Sequence, residues 1–87
     1  MKTIETISLE DAWVATQNAL EDLHFSTDEK QKDAKTAQLK ARSRKDRPVQ
    51  ITLKKQAEDQ TEIGIRVGLF GDDATSYLIL NKIKDRF

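Results

Sequence analysis

Residues 49–67 read VQITLKKQAEDQTEIGIRV, and two alternations in that stretch decide the fold. Val49, Ile51 and Leu53 alternate with Gln50, Thr52 and Lys54; after a break, Thr61, Ile63, Ile65 and Val67 alternate with Glu62, Gly64 and Arg66. A period of two sends successive side chains to opposite faces of an extended chain, so each run reads as a strand with one buried and one wet face. Ala57-Glu58-Asp59-Gln60 between them is a connection of hairpin length, which predicts antiparallel pairing. Pro48 has no N–H for a sheet ladder and belongs at the start of its strand, behind a turn over Lys45-Asp46-Arg47.

Upstream, the stretch from Asp28 to Arg42 supports two readings. Its Glu, Lys, Gln and Ala content suits a helix with a weak Ala34/Ala37/Ala41 stripe. Residues 37–42, AQLKAR, alternate instead with period two. The strand reading gives one strand from His24 to Gln31, a turn near Asp33 and a second strand from Lys35 to Arg44.

The N-terminal third is plainer. Thr3 to Ile7 is rich in β-branched residues and reads as a short strand. Ser8 then offers a helix N-cap, with Asp11 in the capping-box position. Leu9, Ala12, Trp13, Thr16, Leu20 and Leu23 follow at helical spacing, with Trp13 expected in the core at the centre of the stripe. Downstream, Gly68-Leu69-Phe70-Gly71 leaves the last strand, and Asp72 or Asp73 caps a final helix expected to reach Phe87. Ser76, Ile79, Leu80, Ile83 and Phe87 form its apolar stripe. Tyr77 and Leu78 widen that stripe beyond one contact, and the first helix is expected to lie against them, with a partner or self-association surface as the alternative.

The 87 residues make one domain, 1–87, because a second core could not be buried in so short a chain. The expected fold is α+β, in the order β-α-β-β-β-β-α, an antiparallel meander sheet with two helices packed on one face. With no Cys, disulfides, thiolate metal sites and thiol nucleophiles are excluded. No apolar run approaches the ~18 residues of a membrane span.

Chemistry-bearing groups are sparse. His24 is the one histidine, and Leu23 and Phe25 beside it supply no ligand or nucleophile. Asp72-Asp73 would repel a phosphate from the helix end and offers too few oxygens for calcium. Neither an enzyme nor a bound cofactor or metal is expected, because no catalytic or metal-ligating constellation is present in the sequence.

Charge is the stronger signal. Fifteen basic and fifteen acidic groups cancel, but residues 1–34 carry a net −5, residues 35–55 a net +7 and residues 56–87 a net −2. Alternation puts Lys40, Arg42 and Arg44 on one side of their strand, and Lys54 can join them from the next. The candidate interaction surface is therefore Lys40, Arg42, Lys54, Arg66, Tyr77 and Leu78. Nucleic acid is the less favoured partner, because no aromatic lies between Phe25 and Phe70 to stack on bases and the net charge is zero.

Residues 66–72, RVGLFGD, resemble the Arg-Val-Gly-x-Phe-Gly-Asp signature of an uncharacterised bacterial domain family found mainly in small envelope lipoproteins. The first helix, SLEDAWVATQNALEDL, and the segment EKQKDAKTAQLKARS are also similar to members of that family, so the resemblance spans nearly the whole chain. It implies strands rather than a helix over residues 24–44, and a non-enzymatic interaction or assembly role in the cell envelope. Neither a signal-peptide core nor a Cys for a lipid anchor stands in this sequence. Two expectations follow: a soluble portion of an envelope or periplasmic precursor, or an unanchored member that is cytoplasmic if this chain is the complete product. A protein partner or self-association is expected, with a cytoplasmic polyanion binder using residues 35–55 as the alternative.

Overall fold

A computed structural model describes residues 1–69 and 71–87. Phe70, the aromatic position of the signature, lies outside the described residues. The elements are β1 (Lys2–Glu5), α1 (Leu9–Asp22), β2 (Ser26–Lys32), β3 (Thr36–Arg42), β4 (Pro48–Ala57), β5 (Gln60–Val67) and α2 (Asp73–Lys84). The strands form a 5-stranded antiparallel sheet in the order β1-β5-β4-β3-β2. The expected α+β class and element order hold, and the stretch 24–44 carries two strands, Ser26–Lys32 and Thr36–Arg42, rather than a helix.

Alternation produces the core directly. Ala37, Leu39 and Ala41 of β3, Val49, Ile51 and Leu53 of β4, and Ile63, Ile65 and Val67 of β5 are all buried on the helix-covered face. Ser8 caps α1 as expected, accepting from the Asp11 N–H at 3.1 Å. The buried face of α1 is Leu9, Ala12, Ala15, Thr16, Ala19 and Leu20. Trp13 and Leu23 are only partly buried and pack on the rim of the core. Three alanines displace the tryptophan from the centre because small side chains let the helix sit close to its neighbours.

The helix ends where sequence gave no glycine to mark it. His24 sits in the left-handed region at φ 59°. The Phe25 N–H reaches the Leu20 carbonyl and the His24 N–H the Glu21 carbonyl, both at 2.9 Å. These are the paired bonds of a Schellman cap. The cap consumes His24 and Phe25, so β2 starts at Ser26, two residues later than expected. β3 likewise stops at Arg42, because Ser43–Arg47 closes the hairpin: the Asp46 N–H donates to the Ser43 carbonyl at 2.8 Å, with Asp46 at φ 61°. Arg44 therefore belongs to a turn and does not extend the β3 row.

β1 is shorter than expected, and Ile7 leaves it to enter the core. Buried Thr61 donates its hydroxyl to the Ile7 carbonyl at 2.8 Å, fastening the β1–α1 connection to β5. At the other end, Gly68 and Gly71 take φ 73° and 84°, angles that an L side chain resists. The turn they permit delivers Asp72, rather than Asp73, as the α2 cap, with the Thr75 N–H donating to it at 3.1 Å. α2 closes at Lys84, and Phe87 is half exposed instead of ending the stripe.

Candidate functional site

Both helices cover one face of the sheet, leaving the other to solvent. Strand register fixes what that face displays. Lys40, Gln50 and Arg66 stand directly opposite one another across β3, β4 and β5. The next row is Gln38, Thr52, Gly64 and Lys2, and the next is Thr36, Lys54, Glu62 and Ile4. The expected residues Lys40, Arg42, Lys54 and Arg66 thus share one surface. Tyr77 and Leu78 do not join it: they lie on α2, 56% and 50% exposed. The two helices do pack together, but Tyr77 and Leu78 stay half exposed, so the expected seam does not bury them. The six candidates divide between two separate surfaces.

Acidic side chains interrupt the basic rows. Lys40 pairs with Glu29 at 3.5 Å, Arg42 with Asp28 and Asp46 at 3.1 Å each, and Lys2 with Glu62 at 3.9 Å. Asp46 and then Asp28 hold the Arg42 guanidinium above its ordinary basicity. Among the described residues, Lys54 and Arg66 have no carboxylate within 4.0 Å. Arg66 donates one N–H to the Leu69 carbonyl and keeps the rest of its guanidinium for other partners.

Two shallow depressions mark this face. One, of about 450 Å³, runs from Lys40 and Arg42 over Pro48 to Arg66 and exposed Leu69. The other, of about 520 Å³, lies over Gly64 between Thr52, Lys54 and Arg66, with Glu62 and Asp73 at its border. The alternation of β5 already places Gly64 on the wet side. The acidic partners from β2 were not legible, because that strand has polar residues on both faces and a register shift between Thr27 and Glu29.

The rest of the basic stretch serves the frame. Arg47 turns away to the α2 cap and pairs with Asp72 at 2.8 Å. The Thr75 N–H first, then Arg47 and the Thr75 hydroxyl, hold the Asp72 carboxyl down at about 2. Asp33 plays the same part in the β2–β3 turn, accepting from the Lys35 and Thr36 N–H groups at 2.8 Å, which lowers its pKa. Arg86 grips Asp22 through two bonds of 2.6 and 2.8 Å, joining the C-terminal ends of the helices and keeping the Asp22 carboxyl ionised to lower pH. His24 is an exposed backbone cap rather than part of any cluster.

Among the described residues no helix is long and apolar enough to cross a membrane. A comparison with curated proteins returns no match. A family model described as protein of unknown function (DUF3568) matches residues 2–86, and the chain belongs to that family.

Proposed function

We propose that this domain is a non-enzymatic docking module of the bacterial cell envelope that engages a protein partner through its uncovered sheet face. The observation that carries the reading is the composition of that face. Glu29 and Asp28 pair with Lys40 and Arg42, and Glu62 with Lys2, while among the described residues Lys54 and Arg66, beside two shallow depressions, have no carboxylate within 4.0 Å. A mixed pattern of fixed charges selects a partner by complementarity and rejects mismatched ones. The envelope assignment draws on the resemblance carried by Arg66 to Asp72.

A polyanion binder draws less support. Binding nucleic acid through phosphates calls for a coherent positive field. Here Asp28 and Glu29 neutralise Arg42 and Lys40, while Arg47 is turned onto the helix cap.

The test is site-specific photo-crosslinking in cells, with the crosslinker at Gln38 on the wet face or at Tyr77 on α2, followed by fractionation. A discrete protein adduct from Gln38, recovered with the envelope and absent from Tyr77, is the expected result. No adduct from Gln38, or oligonucleotide binding that survives physiological salt, would refute it.

A further inference from the structure

Gly64 occupies the middle of β5, a position where glycine weakens a strand. Among the described residues nothing requires it there. Its φ lies outside the left-handed region, and a Cβ would meet the Lys2 side chain at 3.7 Å and the Thr52 and Met1 carbonyls at 3.8 and 3.9 Å, all ordinary contact distances. An alanine fits. The missing side chain instead opens the depression on the wet face, with Thr52 directly across the strands. Lys54 is the diagonal neighbour of Gly64, at the ~7–8 Å spacing that long side chains bridge. Arg66 is two residues along the same strand. Among the described residues these two cations of the face have no carboxylate within 4.0 Å, whereas Glu62 at the border is engaged by Lys2 at 3.9 Å and by the Gln56 amide at 3.5 Å.

We propose that the notch over Gly64 seats a carboxylate side chain of the protein partner, gripped between Lys54 and Arg66. The inference rests on the docking reading above and names the group that is recognised. Lys54 supplies a point charge, Arg66 a planar donor pair suited to a carboxylate, and the bare Gly64 backbone lets the acid come close. Carboxylate rather than phosphate follows from the border of the site: the Glu62 and Asp73 carboxylates there repel a doubly charged group more than a singly charged one.

The probe is a capped Ala-Ala-Glu-Ala-Ala peptide, titrated into the isotope-labelled full chain at low salt and followed through backbone amide shifts. The Glu peptide is expected to shift the amides of Gly64, Thr52 and Lys54 saturably, while its Gln counterpart and inorganic phosphate do not. Gly64→Val fills the notch and weakens the Glu response about ten-fold, equivalent to 1.4 kcal/mol. Gly64→Ala is the gentler companion, and both variants should melt no lower than the parent. Equal shifts from the Gln peptide, stronger shifts from phosphate, or an unchanged response in a folded Gly64→Val chain would overturn the proposal. The Gln38 crosslink separates the two readings. An adduct that persists in both glycine variants sinks the notch and leaves docking standing; absence of the adduct in the parent sinks docking, and the peptide titration still judges the notch.

Discussion

Replacing His24 by glycine should make this protein more stable, although histidine there breaks no contact that can be seen. At φ 59° an L residue brings its Cβ against the following carbonyl, at a cost of about 1–2 kcal/mol. Glycine removes that strain but has more freedom to lose on folding, which returns about 0.5–1 kcal/mol. The net gain is about 0.5–1 kcal/mol, because the cap itself is built from backbone groups: the bonds to Leu20 and Glu21 persist whatever the side chain. For a domain of this size that raises Tm by about 2–8 °C. Thermal unfolding followed by circular dichroism measures it, with His24→Ala as the control that removes the imidazole yet keeps the Cβ. A His24→Gly variant that melts at or below the parent, or a His24→Ala variant that gains as much, would refute the strain argument.

Three further expectations address the core, the helix flank and acid. Ile51→Ala, in the middle of β4 and fully buried, should cost about 3–4 kcal/mol in a denaturant melt. Trp13→Ala, on the rim of the core, should cost less than Ile51→Ala; the reverse order would mean that the tryptophan is a true core residue. Leu78→Lys should change stability by no more than about 0.5 kcal/mol, since Leu78 is half exposed; a large loss would place it in a packed seam. The Asp72 carboxyl is lowered from 3.8 to about 2 by folding, so its contribution is present above pH 4 and is lost as pH falls toward 2. Tm measured against pH should therefore drop over that window, and Asp72→Asn should melt lower at neutral pH but show a shallower acid slope; an unaltered slope would contradict the assignment.

Much of this fold could be read from residues alone because its central strands obey one simple rule. Val49 to Leu53 and Thr61 to Val67 alternate cleanly, and Ser8 and Asp72 are cap residues in cap positions. What escaped reading has physical causes. β2 is exposed along its whole length, so no apolar period exists to fix its ends. His24 and Asp46 hold left-handed angles that sequence habit assigns to glycine. Ala15 and Ala19 have no bulk to mark them beside Trp13, since a close helix contact selects for smallness rather than for hydrophobic bulk. Of the candidate surface, alternation alone put Lys40, Arg42, Lys54 and Arg66 on one side. The ion pairs that silence Lys40 and Arg42 depend on the shifted register of β2, which no local pattern encodes.

The order of strands also dictates an order of assembly. β2 to β5 form successive hairpins, each closed by a few residues, whereas the Met1 amine meets the Ile65 carbonyl 64 positions away. Loop closure grows costlier with length, by about 0.6 kcal/mol for each doubling, and distant pairings also form more slowly. A chain emerging amino end first makes β1 early but gives it no strand to pair with until β5 has appeared, whereas α1 can already rest on β2, β3 and β4. β1 is therefore the last strand to dock and the first to detach. Its partner edge on β5 becomes an open ladder whenever β1 departs, and the lifetime of that opening sets how exposed the domain is to proteases and to strand exchange with its own copies.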